Sequence, residues 1–238
     1  MSLRSFECGA TEGCYPETRL IEASDGLLYG TTGDSSLGLG TLFRMAKDGS
    51  GFALLRRFQC GNNDGCLPSG GLTEGGDGLL YGMTRNGGPF YYGGTIFRLA
   101  KDGTDFTLLK TFQCGVSNDG CSPDAELTEG SDGFLYGTTA GGGASGGGSV
   151  FKIARDGTAF TLLKSIQCVM GDGCQPRASL LEASDGFFYG TTGEWQYSSS
   201  GSLFRLAKDG TGYQQLQLFP CNNLGPCPPL RGVFEGKD

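Results

Sequence analysis

Residues Asp132-Gly133-Phe134-Leu135-Tyr136-Gly137-Thr138-Thr139 lead through a glycine-rich span into Gly147-Gly148-Ser149-Val150-Phe151-Lys152-Ile153, and then into Asp156-Gly157-Thr158. Asp-Gly between runs of aromatic and β-branched residues is a hairpin signal, because both residues tolerate the positive φ of a tight turn. The flanking runs favour strands.

Working outward from this stretch, the same frame recurs three more times. Tyr-Gly pairs stand at Tyr29, Tyr81, Tyr136 and Tyr189, with spacings of 52, 55 and 53. An Asp-Gly precedes each, at Asp25, Asp77, Asp132 and Asp185, and a second follows, at Asp48, Asp102, Asp156 and Asp209. A fixed period of this size marks a repeat architecture. In the second copy the frame predicts strands over Leu72–Glu74, Leu79–Thr84, Thr95–Ala100 and Phe106–Gln113. No stretch sustains a 3.6-residue period, so helix is not expected.

Four short strands per unit fit a propeller blade. The expected fold is therefore all-β, a β-propeller of four-stranded blades with disulfide-clipped loops. Residues 1–238 read as a single repeat domain, with units near 15–66, 67–121, 122–174 and 175–227 and partial units at both ends. A closed four-bladed ring and a part of a longer propeller both fit that reading.

The cysteines fall into five close pairs: Cys8 and Cys14, Cys60 and Cys66, Cys114 and Cys121, Cys168 and Cys174, Cys221 and Cys227. Each pair lies between the fourth strand of one unit and the first of the next. Loops this short can close locally, and strict pairing points to an oxidising, extracellular or cell-surface location. A Cys₄ zinc site needs two pairs in one coordination sphere, but successive pairs fall on different units and the chain has no histidine. Five local disulfides are expected.

The formal net charge of −7 disfavours nucleic acid as a partner. No apolar run approaches the length of a membrane span. Without histidine, Ser-His-Asp and Cys-His catalytic arrangements are excluded. The glycine runs lack the Lys-Ser/Thr of a phosphate loop.

The repeated string Asp-Gly-x-Leu-Tyr-Gly-Thr-Thr, then Gly-Gly, then Gly-Thr-x-Phe-x-Leu, then Asp-Gly-Thr, resembles the Gloeo/Verruco (GloVer) tandem repeat. The resemblance covers nearly the whole chain and implies an exported bacterial surface protein. The family carries no established enzymatic activity, so no catalytic residues are carried over.

In a propeller, the loop from the fourth strand to the next first strand shares a face with the loop between strands two and three. The cysteine loops and glycine-rich loops are expected together at one end, with the Asp-Gly turns at the other. The glycine-rich loops differ most among copies. Arg85, Phe90, Tyr91 and Tyr92 stand in one, and Glu194, Trp195 and Tyr197 in another. Aromatic side chains on loops stack on sugars or anchor a protein partner; their alternative role is to cover neighbouring blades.

A glutamate recurs at Glu22, Glu74, Glu129 and Glu182, and again at Glu235. A ring of carboxylates suits a structural Ca²⁺, but hydrogen bonding to turn backbone or pairing with a basic residue is the favoured role for these glutamates; no other cofactor is expected. The expected function is a non-enzymatic extracellular module that binds a glycan or protein partner through its loop face. The alternatives are a structural subunit assembling through blade edges, and a carbohydrate-active enzyme.

Overall fold

Each Asp-Gly turn closes an antiparallel hairpin, and successive hairpins build four four-stranded meanders. The computed structural model describes residues 4–6, 13–16, 18–33, 39–60, 64–88, 92–116, 118–168, 173–193, 200–220 and 232–236. Blade I comprises Ile21–Glu22, Leu28–Thr32, Thr41–Met45 and Ala53–Arg57. Blade II comprises Leu72–Glu74, Leu80–Thr84, Thr95–Leu99 and Thr107–Thr111. Blade III comprises Thr128–Glu129, Leu135–Thr139, Ser149–Ile153 and Thr161–Ser165. Blade IV comprises Leu181–Glu182, Phe188–Thr192, Ser200–Leu206 and Gln214–Pro220. In every blade the strands pair in sequence order, and the described residues contain no helix.

The repeated letters have local causes. In the first Asp-Gly turn the aspartate accepts from the backbone N–H two residues on and from the tyrosine hydroxyl. Asp77 takes Leu79 N at 3.1 Å and Tyr81 Oη at 2.7 Å. Burial and the adjacent Asp25 carboxylate push the Tyr29 hydroxyl up to about 12, so it remains a donor. The glycine after each tyrosine lies opposite a phenylalanine of the third strand. A Cβ at Gly82 would sit 2.5 Å from the Phe97 ring, and the equivalent holds at Gly30, Gly137 and Gly190.

The core lies between blades rather than within them. Tyr29, Leu42 and Phe58 of blade I bury against Leu72, Leu80, Phe97 and Leu99 of blade II. Tyr81, Ile96 and Phe112 meet Leu127, Leu135, Phe151 and Ile153 of blade III. Tyr136 and Val150 meet Leu180, Phe188, Phe204 and Leu206 of blade IV. A cation stacked on the next blade's ring seals each outer edge: Arg56 lies 3.3 Å from the Phe106 centroid, Lys110 lies 4.6 Å from Phe160, and Lys164 lies 4.1 Å from Tyr213.

Disulfides join Cys60 to Cys66 and Cys168 to Cys174, each across six residues of sequence. Cys14 is also disulfide-bonded. Cys8, Cys221 and Cys227 lie outside the described residues. The expected bond between Cys114 and Cys121 is not formed, and both stand as free thiols. Their loop is one residue longer than the others, and Cys114 Sγ donates to the Tyr92 carbonyl at 3.3 Å. Burial, with the neighbouring Cys114 thiol, pushes Cys121 up to about 12.

Candidate functional site

In three of the pairs the second cysteine pairs with the start of a glycine-rich loop. Gly65–Cys66 forms a short ladder with Asn86–Gly87, Gly120–Cys121 with Gly141–Gly142, and Cys174 bridges Gly193. Cysteine loops and glycine-rich loops therefore share one end of the blades, and the Asp-Gly turns form the other. The two ends differ in their charges.

At the turn end, Glu74, Glu129 and Glu182 each fasten their blade to the preceding one. Glu74 accepts from Ser24 N and Ser24 Oγ of blade I, both at 2.7 Å, and pairs with Lys101 of its own blade. Glu182 takes Ser131 N and Oγ at 2.7 Å and pairs with Lys208 at 2.5 Å. Glu129 takes Gly76 N at 2.7 Å and pairs with Arg155. Glu235 accepts from Ser184 N at 3.1 Å and Oγ at 2.5 Å. Glu22 pairs with Lys47 at 2.6 Å. Burial alone would raise the Glu74 and Glu182 carboxyls. Their lysine and serine partners outweigh it and hold both below the ordinary value of 4.5. The glutamates are thus engaged by protein donors, and no cluster of three metal-ligating side chains occurs among the described residues. Arg44 and Arg98 donate to the carbonyls of Lys101 and Arg155 at 3.2 and 3.4 Å, so the basic residues of the third strand also tie blade to blade.

The loop end is built on a second repeat, Cys-x-Pro-x-x-x-Leu, over Cys14–Leu20, Cys66–Leu72, Cys121–Leu127 and Cys174–Leu180. The cysteine, proline and leucine recur. The fourth position reads Glu17, Ser69, Asp124, Arg177, and the sixth reads Arg19, Gly71, Glu126, Ser179. Arg19, Ser69, Asp124, Glu126, Arg177 and Ser179 line one cavity of about 370 Å³, together with Gly232, Val233 and Phe234. The segments that precede the first strands thus converge on a common space, which makes the first strands innermost.

This funnel holds two crossed ion pairs. Arg19 Nη2 of blade I donates to both Glu126 oxygens of blade III, at 2.9 and 3.0 Å. Arg177 Nη1 of blade IV donates to Asp124 of blade III at 3.1 Å, and its Nη2 to Gln175 at 2.8 Å. Burial raises the Glu126 carboxyl, opposed by Arg19. Gly70 brings the wall close: a Cβ there would lie 1.8 Å from the Ala125 carbonyl oxygen. Two guanidinium groups and two carboxylates offer donors and acceptors to one ligand without presenting a net charge of either sign.

Of the residues expected to bind, Arg85 and Tyr92 are exposed at the loop end. Arg85 N is fixed to the Leu67 carbonyl at 2.9 Å, and the Tyr92 carbonyl accepts from Ser122 Oγ at 3.2 Å. Phe90, Tyr91, Glu194, Trp195 and Tyr197 lie outside the described residues. The funnel residues were not among those expected. The signal for them was the divergence of two positions within the otherwise regular Cys-x-Pro-x-x-x-Leu string.

Solved structures share this fold at low identity. The nidogen/laminin complex matches with a TM-score of 0.52 and 16% identity, covering 84% of this chain and 62% of that one. A putative TolB from Agrobacterium tumefaciens matches at 0.53 and 11% identity, covering 83% and 64%. An α-L-arabinofuranosidase from Lactobacillus brevis matches at 0.50 and 15% identity, covering 86% and 73%. The chain spans less than two thirds of the first two of these. The likeness is one of fold, all-β and propeller-like. No curated protein matches the chain. The model of the Gloeobacter/Verrucomicrobia repeat matches residues 16–228, so the chain belongs to that repeat family.

Proposed function

We propose that the chain is an exported, non-enzymatic binding module that recognises a protein or glycan partner at its loop end. One observation carries this reading. The funnel positions diverge among four copies whose supporting residues repeat, so the scaffold is uniform while its mouth is individual. Loops and strand approaches on a rigid scaffold are where recognition residues concentrate. Arg85 and Tyr92, with the neighbouring loop residues Phe90, Tyr91, Glu194, Trp195 and Tyr197, would extend the surface around the mouth. The disulfides fit an oxidising compartment.

A glycan array and a pull-down from secreted proteins separate the two partner classes. The partner found should lose binding to an Arg177→Ala, Glu126→Gln double variant that keeps the wild-type melting temperature. Blank results in both assays, or a captured partner indifferent to the double variant, would sink the reading.

A further inference from the structure

The third cysteine pair departs from the others at positions that the repeat makes comparable. Cys66 and Cys174 are buried and bonded, and Cys14, also bonded, is buried as well. Cys121 at the same position is half-buried. Its partner Cys114 is exposed, whereas Cys60 and Cys168 are half-buried. Five residues separate Cys60 from Cys66 and Cys168 from Cys174, and six separate Cys114 from Cys121.

The strand that Cys121 pairs with supplies a cause. Cys121 faces Gly141 in its short ladder, as Cys66 faces Asn86. A Cβ at Gly141 would lie 2.9 Å from Cys121 Sγ, so the sulfur occupies room that a side chain would fill. Counted from the tyrosine of each Tyr-Gly pair, the same position holds Asp34, Asn86 and Glu194 in the copies whose second cysteine is bonded. Glycine stands there only in the copy with the free thiols. The backbone does not demand it, because Gly141 lies outside the left-handed region.

The reduced pair also has contacts of its own. Cys114 Sγ donates to the Tyr92 carbonyl at 3.3 Å, and Ser122 Oγ donates to the same oxygen at 3.2 Å. A disulfide carries no S–H and forfeits the first of these bonds. Between the two cysteines, Asp119 accepts from Lys110 Nζ at 2.8 Å, from Gln113 N at 3.1 Å and from Gly120 N at 2.9 Å. Those two amides adjoin Cys114 and Cys121, so the carboxylate keeps the cysteines close whether or not they are bonded. Burial, with the Cys114 thiol beside it, pushes Cys121 up to about 12. The exposed Cys114 is therefore the thiol that reacts first.

From this geometry we infer that Cys114 and Cys121 form a reversible thiol–disulfide exchange site, entered at Cys114 by a small-molecule disulfide, while Cys60–Cys66 and Cys168–Cys174 stay closed. The Cys114 thiolate attacks one sulfur of the small disulfide. A new S–S bond joins Cys114 to one half, and the other half leaves as a thiolate that takes up the proton Cys114 gave up. Cys121 then attacks the Cys114 sulfur, and the second half leaves and takes up the proton of Cys121. Two protein thiols are oxidised to one disulfide, and the small disulfide is reduced to two thiols. The low thiolate fraction of Cys121 slows the second step, so the mixed disulfide on Cys114 accumulates. The exchange requires no ligand at the funnel.

Mass spectrometry of the 238-residue chain after thiol alkylation tests the site. In mixtures of reduced and oxidised dithiothreitol, the Cys114–Cys121 pair should open at a ratio of reduced to oxidised reagent about tenfold lower than the other two pairs need. With the reagent removed, oxidised glutathione should add one glutathione at Cys114. Two molecules of reduced glutathione should then appear per chain as Cys121 closes the bond. Cys121→Ser should hold the adduct on Cys114, and Cys114→Ser should slow adduct formation about tenfold or more. Gly141→Asn should raise the ratio that opens the pair to that of Cys60–Cys66, with an unchanged melting temperature as the check on its fold. Equal ratios for all three pairs in the wild type, a measurement that needs no variant, overturn the inference. So does a first adduct on Cys121, or a folded Gly141→Asn variant whose pair opens as readily as the wild type's.

Discussion

The two ends of the innermost strands make opposite use of charge. At the turn end, Glu74, Glu129 and Glu182 each accept a backbone N–H from the blade before and pair with a basic residue of their own blade. At the loop end, Arg19, Glu126 and Arg177 have no counterparts of like charge in the other copies, and Asp124 shares its sign only with Glu17. A repeated charge in a repeat protein serves the architecture, because every blade needs it. A charge present once serves something that occurs once, and Arg19, Glu126 and Arg177 meet that description.

The largest expected effect tests where the loop end itself becomes architecture. Gly70 packs against the Ala125 backbone, and a Cβ would sit 1.8 Å from its carbonyl oxygen, which belongs to a neighbouring blade and cannot rotate away. Gly70→Ala should lower stability by about 2–3 kcal/mol, in the range of overpacked interiors, measured by urea unfolding. The aligned Ala125 and Ala178 already carry a Cβ, so the effect should be specific to this copy. A neutral Gly70→Ala would mean that blades II and III can part at the funnel wall.

The repeat, the strand order and the shared end of the cysteine and glycine-rich loops were legible in the sequence, because turn chemistry and alternation are local. In blade II the strands fall within a residue or two of those expected from Leu72, Thr84 and Thr95. The interface partners were not legible. Nothing local in Lys101 or Ser24 says that both meet Glu74, since the serine lies 50 residues from it and on another blade. The free Cys114 was hidden for a similar reason: the Tyr92 carbonyl that takes its thiol hydrogen bond comes from 22 residues away. The funnel could have been found, because divergence at two positions of Cys-x-Pro-x-x-x-Leu is visible on alignment of the copies.

The next effect sharpens the contrast between the ends. Glu74→Ala leaves Lys101 and two donors of Ser24 without their acceptor in a partly exposed contact. It should cost about 1–3 kcal/mol by thermal unfolding. The pH dependence has the matching sign. Glu74 and Glu182 have folded values below 4.5, so their stabilisation is full above that value and is lost as pH falls through the folded values. The gap between wild type and a Glu74→Gln, Glu182→Gln variant should therefore close on acidification below about pH 4. A gap that persists there would show that packing, not charge, fastens the turn end.

The smallest effect on stability is expected at the funnel, where it matters most to the comparison. The Glu126 carboxyl is raised by burial despite Arg19, so ionisation there opposes folding at neutral pH and protonation relieves it, the reverse of Glu74. Its partner Arg19 is exposed, and such pairs contribute little. Glu126→Gln should therefore change the melting free energy by less than about 1 kcal/mol. It should also make the loss of stability on acidification slightly steeper, because the relief that comes with protonating Glu126 is gone, while removing partner binding in titration calorimetry. A Glu126→Gln variant as unstable as Glu74→Ala would make the funnel charges another blade fastening. The difference between the two ends would then be one of sequence alone.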